Sequence, residues 1–337
     1  MNIYDISRKA GVSIATVSRV LNGSSSVSEK TRRKILDVME ETGYQPNAFA
    51  RGLGLNTMKT VGILCADSSD AVLASAVYYI EQELRRFQYD ALLCCTGYDI
   101  SAKQKYMGLL RSKRVDALIL VGSNFVEEEP EKNQYIREAA AEIPVIILNG
   151  YLDAANVYCS LCDDEDIMFR LASRFLQQPD GLLYISRSMT YSGRRKLSGV
   201  RRAFREAGLT MGAEQELVFN GTIEETKEML KERYEAGERW RVILTSDDEL
   251  AVGAVKFARA VGIAVPQELQ IAGYNNSKPG ICCEPEITSV DNHLEYSCRN
   301  AVSMLMQVLD GALIPSRVMV AGDIVERGTT QNGEDCG

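Results

Sequence analysis

The sequence predicts an α/β protein in two parts, a small all-α head and a large body of doubly wound parallel sheet. Apolar residues recur at helical spacing in the head, whereas from Thr60 onward they gather in short runs separated by helical stretches. Residues 1–59 carry nine Lys or Arg and five Asp or Glu, a net charge of +4, and the remainder carries −12. A basic head on an acidic body indicates that the head alone contacts a polyanion.

Three helices are predicted in the head, residues 1–45. The first spans Ile3 to Ala10, the second ends near Leu21, and the third begins after residue 28. Glycines suit helix ends and serines suit N-caps, and the head has both where they are needed: Gly11, Ser13, Ser28 and Gly43. Helix, glycine-containing turn, second helix and packed third helix together predict a helix-turn-helix DNA-binding unit.

The outer face of the second helix carries little charge. In the stretch VSIATVSRVLNG, which starts at residue 12, a 100° step per residue places Val17, Val20 and Leu21 on the inner side. A purely structural three-helix bundle is the alternative, but a lone arginine without acidic neighbours favours DNA. Arg19 suits bidentate pairing with guanine and Ala15 suits a thymine methyl group. The predicted DNA contacts of the head are Ser13, Ile14, Ala15, Thr16, Ser18, Arg19 and Asn22.

The head also resembles a known family. Residues 3–53, IYDISRKAGVSIATVSRVLNG…VSEKTRRKILDVMEETGYQPNAFARGL, closely resemble the head of the lactose-repressor (LacI/GalR) family of bacterial transcription regulators. The resemblance is contiguous and includes the turn, the second helix, the third helix and the GYQPN exit. It implies a homodimer that binds double-stranded operator DNA.

Residues 46–59 are predicted to be a hinge and linker. The segment 47–53 is short and contains Gly52, so it should not persist as a helix alone. The family resemblance implies a hinge helix that pairs with the dimer mate in the minor groove, with Asn47, Ala50 and Leu53 as contacts. Leu53 would be the apolar wedge between central base pairs, and a plain linker leucine is the alternative.

Short apolar runs alternate with helical stretches through the body, which predicts strands buried on both faces of parallel sheets. The runs are TVGILCA, DALLCC, VDALILVG, VIIL, GLLYIS, RVILTS and ELQIAGY. The helical stretches are 71–87, 101–114, 164–177, 192–208, 222–236 and 248–262. The number of units predicts two similar lobes with a ligand at the carboxyl ends of the strands.

The resemblance implies that residues 60–330 form a periplasmic-binding-protein-like sensor and dimerisation domain. One lobe would comprise about 60–158 plus 290–320, and the other 159–288 plus 321–330, with 331–337 as a tail. The loops at the strand ends then supply the predicted effector contacts, whose carboxylates, amides and cations suit sugar hydroxyls. These residues are Asp67, Asp70, Ser192, Arg194, Lys196, Asp247 and Asn275.

Three departures from the family pattern concern this pocket. Asp70-Ala71-Val72-Leu73 lacks the aromatic surface that many members carry, and Lys196 stands where the family has its pocket arginine. Asn275 replaces a carboxylate. A neutral amide beside Lys196 and Arg194 would favour an anionic sugar. Alternatively, the two cations are solvent-exposed residues at the start of a helix and bind no ligand.

No catalytic motif accompanies these residues, so an enzyme is not expected: a phosphate-binding loop, a nucleophile elbow and a histidine-based relay are all missing. No cofactor or metal site is predicted, since Cys159-x-x-Cys162 has no second pair and His293 is the single histidine. The nine cysteines fit buried small hydrophobes. The absence of a signal-like start and of long apolar runs predicts a cytoplasmic protein without membrane contact.

The sequence thus predicts a DNA-binding transcriptional regulator, a repressor, whose operator affinity is set by a small carbohydrate-type effector between two lobes. Control mainly by a protein co-regulator is one alternative. A pure solute-binding protein is another, against which the basic head counts.

Overall fold

The computed structural model describes residues 2–21, 24–44, 57–177 and 179–331. The predicted DNA contacts Asn22, Asn47, Ala50 and Leu53 lie outside these residues.

The head consists of the three predicted helices, α1 (Ile3–Ala10), α2 (Ile14–Leu21) and α3 (Glu29–Thr42). Asn2 caps α1 by accepting the N–H of Tyr4 at 3.0 Å. Gly11 and Gly43 follow α1 and α3 with φ values of 63° and 60°, the left-handed conformation that glycine adopts without strain. The three helices bury one small core, formed by Ile6, Ala10, Val17, Val20 and Ile35. The predicted helix-turn-helix architecture is confirmed.

Six parallel strands form the sheet of the first lobe. They are β1 (Thr60–Cys65), β2 (Asp90–Cys95), β3 (Ala117–Val121), β4 (Val145–Leu148), β5 (Val157–Cys162) and β11 (Arg317–Val320). Their order across the sheet is β11-β5-β4-β3-β1-β2. Two helices cover each face: α4 (Ala71–Arg86) and α12 (Leu294–Leu309) on one, α5 (Ile100–Ser112) and α6 (Gln134–Ala140) on the other.

The second lobe repeats this layered plan. Its strands are β6 (Leu182–Ser186), β7 (Glu216–Val218), β8 (Val242–Thr245), β9 (Gln270–Tyr274), β10 (Thr288–Asp291) and β12 (Asp323–Val325). Their order is β12-β10-β9-β8-β6-β7, and only β12 pairs in the antiparallel direction. The covering helices are α7 (Asp164–Ser173), α8 (Tyr191–Glu206), α9 (Ile223–Glu235) and α10 (Asp248–Val261), with a short α11 (Lys278–Ile281). The predicted two-lobed, doubly wound fold is confirmed.

The chain passes between the lobes at three neighbouring points, after β5, after β10 and after β11. The N–H of Asp163 donates to the carbonyl oxygen of Val320 at 2.9 Å, which ties the first crossing to the third. A Cβ atom at Gly322 would lie 3.2 Å from the Asp291 carbonyl oxygen and 3.3 Å from Cys162 Sγ. All three crossings therefore lie against one another.

These crossings correct the predicted lobe boundaries. Residues 159–162 belong to the first lobe, because β5 remains in the first sheet up to Cys162. Residues 290 and 291 belong to the second lobe, because β10 pairs with β9. The run VYCSLC mixes apolar and polar side chains, so the pattern of continuous apolar runs did not reveal β5.

Within the described ranges, no helix is both long enough and apolar enough to cross a membrane.

Candidate functional site

Two surfaces bring the predicted site residues together, the outer face of α2 and a cleft between the lobes. On α2, Val17 and Val20 are buried in the head core, so the opposite side of the helix faces outward. Ala15 and Arg19 are exposed there, and Ser18 is half-buried. The helix IATVSRVL contains no acidic residue, so no like charge opposes a phosphate or an acceptor-rich base edge.

The amino-terminal end of α2 carries the other predicted contacts of the head. Ser13 Oγ accepts the N–H of Thr16 at 3.2 Å and forms a 2.9 Å hydrogen bond with the Thr16 hydroxyl, so Ser13 is the predicted N-cap. Ile14 is 39% exposed, an unusual position for a large apolar side chain. The amino-terminal residues of a recognition helix are those that contact base edges.

A cleft of about 180 Å³ opens between the lobes, at the carboxyl ends of several strands of both sheets. This is the edge at which doubly wound sheets bind ligands. The lining side chains include Asp70, Tyr98, Ser123, Asn124 and Asn149 from the first lobe, and Arg187, Thr190, Ser192, Lys196, Asp247, Asp248, Glu249 and Asn275 from the second.

The ion pair of Arg187 with Asp247 is the main polar contact of the second-lobe wall. Arg187 Nε donates to Asp247 Oδ2 at 2.7 Å and Nη2 donates to Oδ1 at 2.9 Å, a bidentate pair. Nη2 also contacts Glu249 Oε2 at 3.2 Å. Asp247 is the N-cap of α10 as well, since Oδ1 accepts the N–H of Leu250 at 3.0 Å. The charge of Arg187 is therefore used within the protein.

Lys196 lies at the back of the cleft and is 7% exposed. Its Nζ donates to the carbonyl oxygen of Ser246 at 2.9 Å and lies 3.5 Å from the centroid of the Tyr274 ring. Burial lowers the pKa of the Lys196 ammonium, an effect that the negative charge of Asp164 opposes. Lys196 thus stabilises the wall from inside.

Asp164 lies deeper still and completes this cluster. It accepts the Tyr274 hydroxyl on one oxygen and the Ser192 hydroxyl on the other, the latter at 2.6 Å. Burial raises the pKa of the Asp164 carboxyl. Ser192 is therefore brought to the cleft as predicted, but its hydroxyl proton is already donated inward.

Two further predicted contacts, Asp70 and Asn275, line opposite walls of the cleft. Asp70 caps α4, because its Oδ1 accepts the N–H groups of Val72 and Leu73, both at 2.9 Å. Asn275 has a φ of 96°, and its Oδ1 accepts a hydrogen bond from Asn292 Nδ2 at 3.0 Å. Asp70 Oδ2 and Asn275 Nδ2 form no hydrogen bond among the described residues.

Asp67 and Arg194 do not line the cleft, which corrects two of the predicted effector contacts. Asp67 Oδ1 accepts both the N–H and the hydroxyl of Ser69, at 2.8 and 2.7 Å, within its own loop. Arg194 Nη1 donates to the Met189 carbonyl oxygen at 2.6 Å and lies 3.5 Å from a Glu128 oxygen. On a helix, a side chain two positions from Ser192 points about 200° away from it.

Arg194 instead belongs to a contact between the lobes. Beside its ion pair with Glu128, the Ser123 hydroxyl donates to Thr190 Oγ1 at 2.9 Å. Lys103, which is 2% exposed, holds the first-lobe side of this contact. Its Nζ donates to the carbonyl oxygen of Asn124 at 2.5 Å and contacts Glu127 at 2.8 Å. The first-lobe edge of the cleft, at Ser123 and Asn124, is thereby joined to the amino-terminal end of α8.

Several cleft residues were not among the predicted effector contacts, and Tyr98, Asn124 and Glu249 are three of them. Tyr98 follows β2 closely and Glu249 follows β8 closely, so the rule of strand ends applies to both. The same rule applies to Asn124, which follows the end of β3 by three residues. The Asn124 Nδ2 atom is buried and has no hydrogen-bond partner among the described residues.

Replacing Asp247 by Asn is expected to lower the free energy of unfolding by about 1–3 kcal/mol, because the partly buried Arg187 loses its bidentate anion. Asn still caps a helix as well as Asp does, so the loss reports the ion pair. Urea denaturation measures it. The matched control is Asp70→Asn, which also changes an N-cap but breaks no ion pair among the described residues. Equal stability of the two variants would contradict this role of Arg187.

Among the described residues, no group of three His, Cys, Asp or Glu side chains could hold a metal ion. Cys159 and Cys162 are both buried, and burial raises the pKa of each thiol, to about 11 and about 12. Tyr274 Oη lies 3.7 Å from Cys162 Sγ. Both cysteines act as small core residues in the first sheet.

Two family profiles together match most of the chain. Residues 2–47 match "Bacterial regulatory proteins, lacI family", and residues 58–324 match "Periplasmic binding proteins and sugar binding domain of LacI family". An HTH-type transcriptional regulator of Lachnoclostridium phytofermentans is 49% identical over 331 residues, which cover 98% of this chain and 99% of that protein. Catabolite control protein A of Priestia megaterium is 29% identical over 332 residues, 95% of this chain and 96% of that protein.

Solved structures share the fold. The Lac repressor dimer bound to operator and the anti-inducer ONPF has a TM-score of 0.87 at 20% identity, over 98% of this chain and 99% of that one. The complex of the transcriptional regulator CelR with cellobiose has a TM-score of 0.71 at 22% identity, with the same coverage.

Proposed function

The chain belongs to the LacI family of bacterial transcriptional regulators, and from that premise we propose that it is a cytoplasmic, dimeric repressor controlled by a small carbohydrate-type effector. The observation that carries the proposal is the polar cleft between the lobes, to which both lobes contribute side chains. A ligand that contacts two lobes at once has a different affinity for each relative position of the lobes. Such a difference is the only means by which binding can shift a conformational equilibrium.

The size and chemistry of the cleft support a ligand of about one sugar ring. Its volume of about 180 Å³ is smaller than the ~300 Å³ at which pockets for drug-sized ligands begin. Asn275 Nδ2 forms no hydrogen bond among the described residues and offers a donor, and Asp70 and Glu249 offer acceptors. Sugar hydroxyls both donate and accept, so they fit such a mixed lining. No stacking surface stands at Val72 and Leu73, where many members of the family carry aromatic residues.

The charges of the cleft favour a neutral or cationic ligand over an anionic one. An anionic sugar was suggested by Arg194 and Lys196 together, but Arg194 lies outside the cleft and Lys196 is bonded within the wall. The lining has two cations, Arg187 and Lys196, against the four carboxylates Asp70, Asp247, Asp248 and Glu249. A phosphate or uronate would meet an excess of like charge.

DNA binding is proposed to reside in α2, with Ser13, Ile14, Ala15, Thr16, Ser18 and Arg19 as contacts. Two heads in a dimer would bind a pseudo-palindromic operator. We expect operator affinity to fall by ~10³–10⁵ between 50 and 200 mM salt if the two basic heads make six to ten phosphate contacts. Fluorescence anisotropy with a labelled operator measures this slope, and an affinity independent of salt would contradict it.

The experiment that tests the whole proposal has two steps. Selection from random DNA identifies the operator of the full chain, and anisotropy titrations then compare its operator affinity with and without each member of a sugar panel. We expect a sugar that stabilises the protein to thermal unfolding, by ~2.7 kcal/mol at 100-fold its Kd, to change operator affinity as well. Stabilising sugars that leave operator affinity unchanged would contradict effector control and favour a protein co-regulator.

A further inference from the structure

The two cations of the cleft are already used by the protein. Arg187 forms its bidentate pair with Asp247, and Lys196 is bonded to the Ser246 carbonyl oxygen beside Asp164. Arg187 Nη2 also contacts Glu249 Oε2 at 3.2 Å, so two cations compensate only part of the charge of the four carboxylates that line the cleft.

Asp248, one of the four carboxylates, is also satisfied. Its Oδ2 accepts the N–H and hydroxyl of Ser277 at 2.6 and 2.7 Å, and its Oδ1 accepts the Ser289 hydroxyl at 2.6 Å. Asp248 is buried and holds the loop before α11 in place. Its role is therefore internal to the second lobe.

Two carboxylates then remain with free oxygens, and they come from opposite lobes. Among the described residues, Asp70 Oδ2 and Glu249 Oε1 accept no hydrogen bond, and the Glu249 side chain is 40% exposed. Burial raises the pKa of Glu249, against the lowering effect of Arg187, and the charges of Asp247 and Asp70 raise it further. Both acids line the same cleft: Glu249 shares the single charge of Arg187 with Asp247, and Asp70 forms no ion pair among the described residues.

Tyr98 lines the same cleft from the first lobe and is 64% exposed. The N–H of Gly97 donates to the Ala66 carbonyl oxygen at 2.9 Å, which holds the loop of Tyr98 beside the loop that leads to Asp70. Burial, and after it the carboxylate of Asp70, raises the pKa of the Tyr98 hydroxyl. An exposed aromatic face next to carboxylates attracts a cation more strongly than a neutral group. Tyr98 is also an aromatic surface in a cleft that has none at Val72 and Leu73.

We propose that the effector is an amino sugar of monosaccharide size, whose protonated amino group binds between Asp70, Glu249 and the ring of Tyr98. This inference rests on the proposed function, since it assigns the chemical class of the ligand in the same cleft. A neutral hydroxyl can donate to a carboxylate but leaves its charge uncompensated when the lobes close and water is expelled. An ammonium group supplies three donors and the missing charge together.

The test uses the full chain and matched sugars. Isothermal titration compares glucosamine, galactosamine and mannosamine with their parent hexoses, their N-acetyl derivatives and the hexose 6-phosphates. We expect at least one hexosamine to bind at least tenfold more tightly than its own parent, N-acetyl and phosphate counterparts. Failure of all three hexosamines to bind, or equal binding of the parents, would overturn the inference.

Variants locate the preference in the cleft. Glu249→Gln and Asp70→Asn are each expected to weaken hexosamine binding tenfold or more and to bring it to the level of the parent hexose. Tyr98→Phe should retain the preference and Tyr98→Ala should lose it, because only the ring is required. Glu142→Gln is the matched control, since Glu142 pairs with Arg111 within the first lobe and outside the cleft lining. Loss of the preference in Glu142→Gln, or its retention in Glu249→Gln, would place the amino group elsewhere and refute the inference.

The inference and the proposed function fail in different ways. A neutral or phosphorylated sugar that binds most tightly and changes operator affinity would overturn the amino-sugar inference and leave effector control standing. A hexosamine that binds with the expected preference but leaves operator affinity unchanged would support the inference and contradict the proposed function.

Discussion

Arg19→Ala is expected to abolish specific operator binding while it leaves the fold unchanged. The side chain is exposed at the centre of the outward face of α2, away from the head core of Val17 and Val20. One bidentate arginine–guanine pair contributes ~1–3 kcal/mol of discrimination, so a dimer with two heads should lose ~2–6 kcal/mol. Anisotropy titrations with operator and with random DNA at one salt concentration measure the loss.

The matched control removes the same charge from another helix. Arg33 is exposed on α3, and Arg33→Ala should leave the ratio of operator to random-DNA affinity unchanged. Thermal unfolding of both variants checks the fold. A variant without Arg19 that binds the operator as tightly as the original protein would exclude this residue from base recognition.

Gly199→Ala is expected to have the largest effect on stability, because α7 and α8 cross with their backbones in close contact at this glycine. A Cβ atom here would overlap the carbonyl oxygen of Glu165 and lie 2.9 Å from the backbone nitrogen of Phe169. Backbone atoms of a packed helix cannot rotate away as a side chain can, so α7 and α8 must separate. Overpacking of this kind costs ~1–3 kcal/mol or more.

Ser198→Ala tests whether the position rather than the alanine matters. Ser198 is exposed on the same helix, so its replacement should change the free energy of unfolding by less than ~0.5 kcal/mol. Urea denaturation of the two variants gives the comparison. If Gly199→Ala is as stable as Ser198→Ala, the helix crossing tolerates a methyl group and the close contact is not required.

The fold was largely predictable, because its strongest signals are local. The predicted helix 71–87 is observed as Ala71–Arg86, and the predicted helix 248–262 as Asp248–Val261. Five strands were not predicted, for different physical reasons. The five strands are β5, β7, β10, β11 and β12. β7 has only three residues. β11 and β12 lie at sheet edges, where half-exposed side chains interrupt the continuous apolar run that a buried strand shows.

The site was predictable only in part, since the sequence shows where strands end but not how the two walls meet. Lys196 and Ser192 lie four residues apart and share one face of α8, and both line the cleft. Arg194 was included for its charge, although helical geometry turns it to another side. Asn124 depends on the loop that Lys103 holds in place, a contact between residues 21 positions apart that no local pattern encodes.

The chain crosses between the lobes at three adjacent points, which lie together around Asp163, Val320 and Gly322. These crossings limit how the two lobes can move relative to each other. Two bodies joined at a single point can rotate about three axes. Two bodies joined at neighbouring points along a line keep one easy rotation, the opening angle about that line. Any ligand in the cleft can then affect the head only through the opening angle that it favours between the two lobes. Compounds of unlike chemistry can consequently have the same effect, and a compound with the opposite effect needs only to favour the opposite angle.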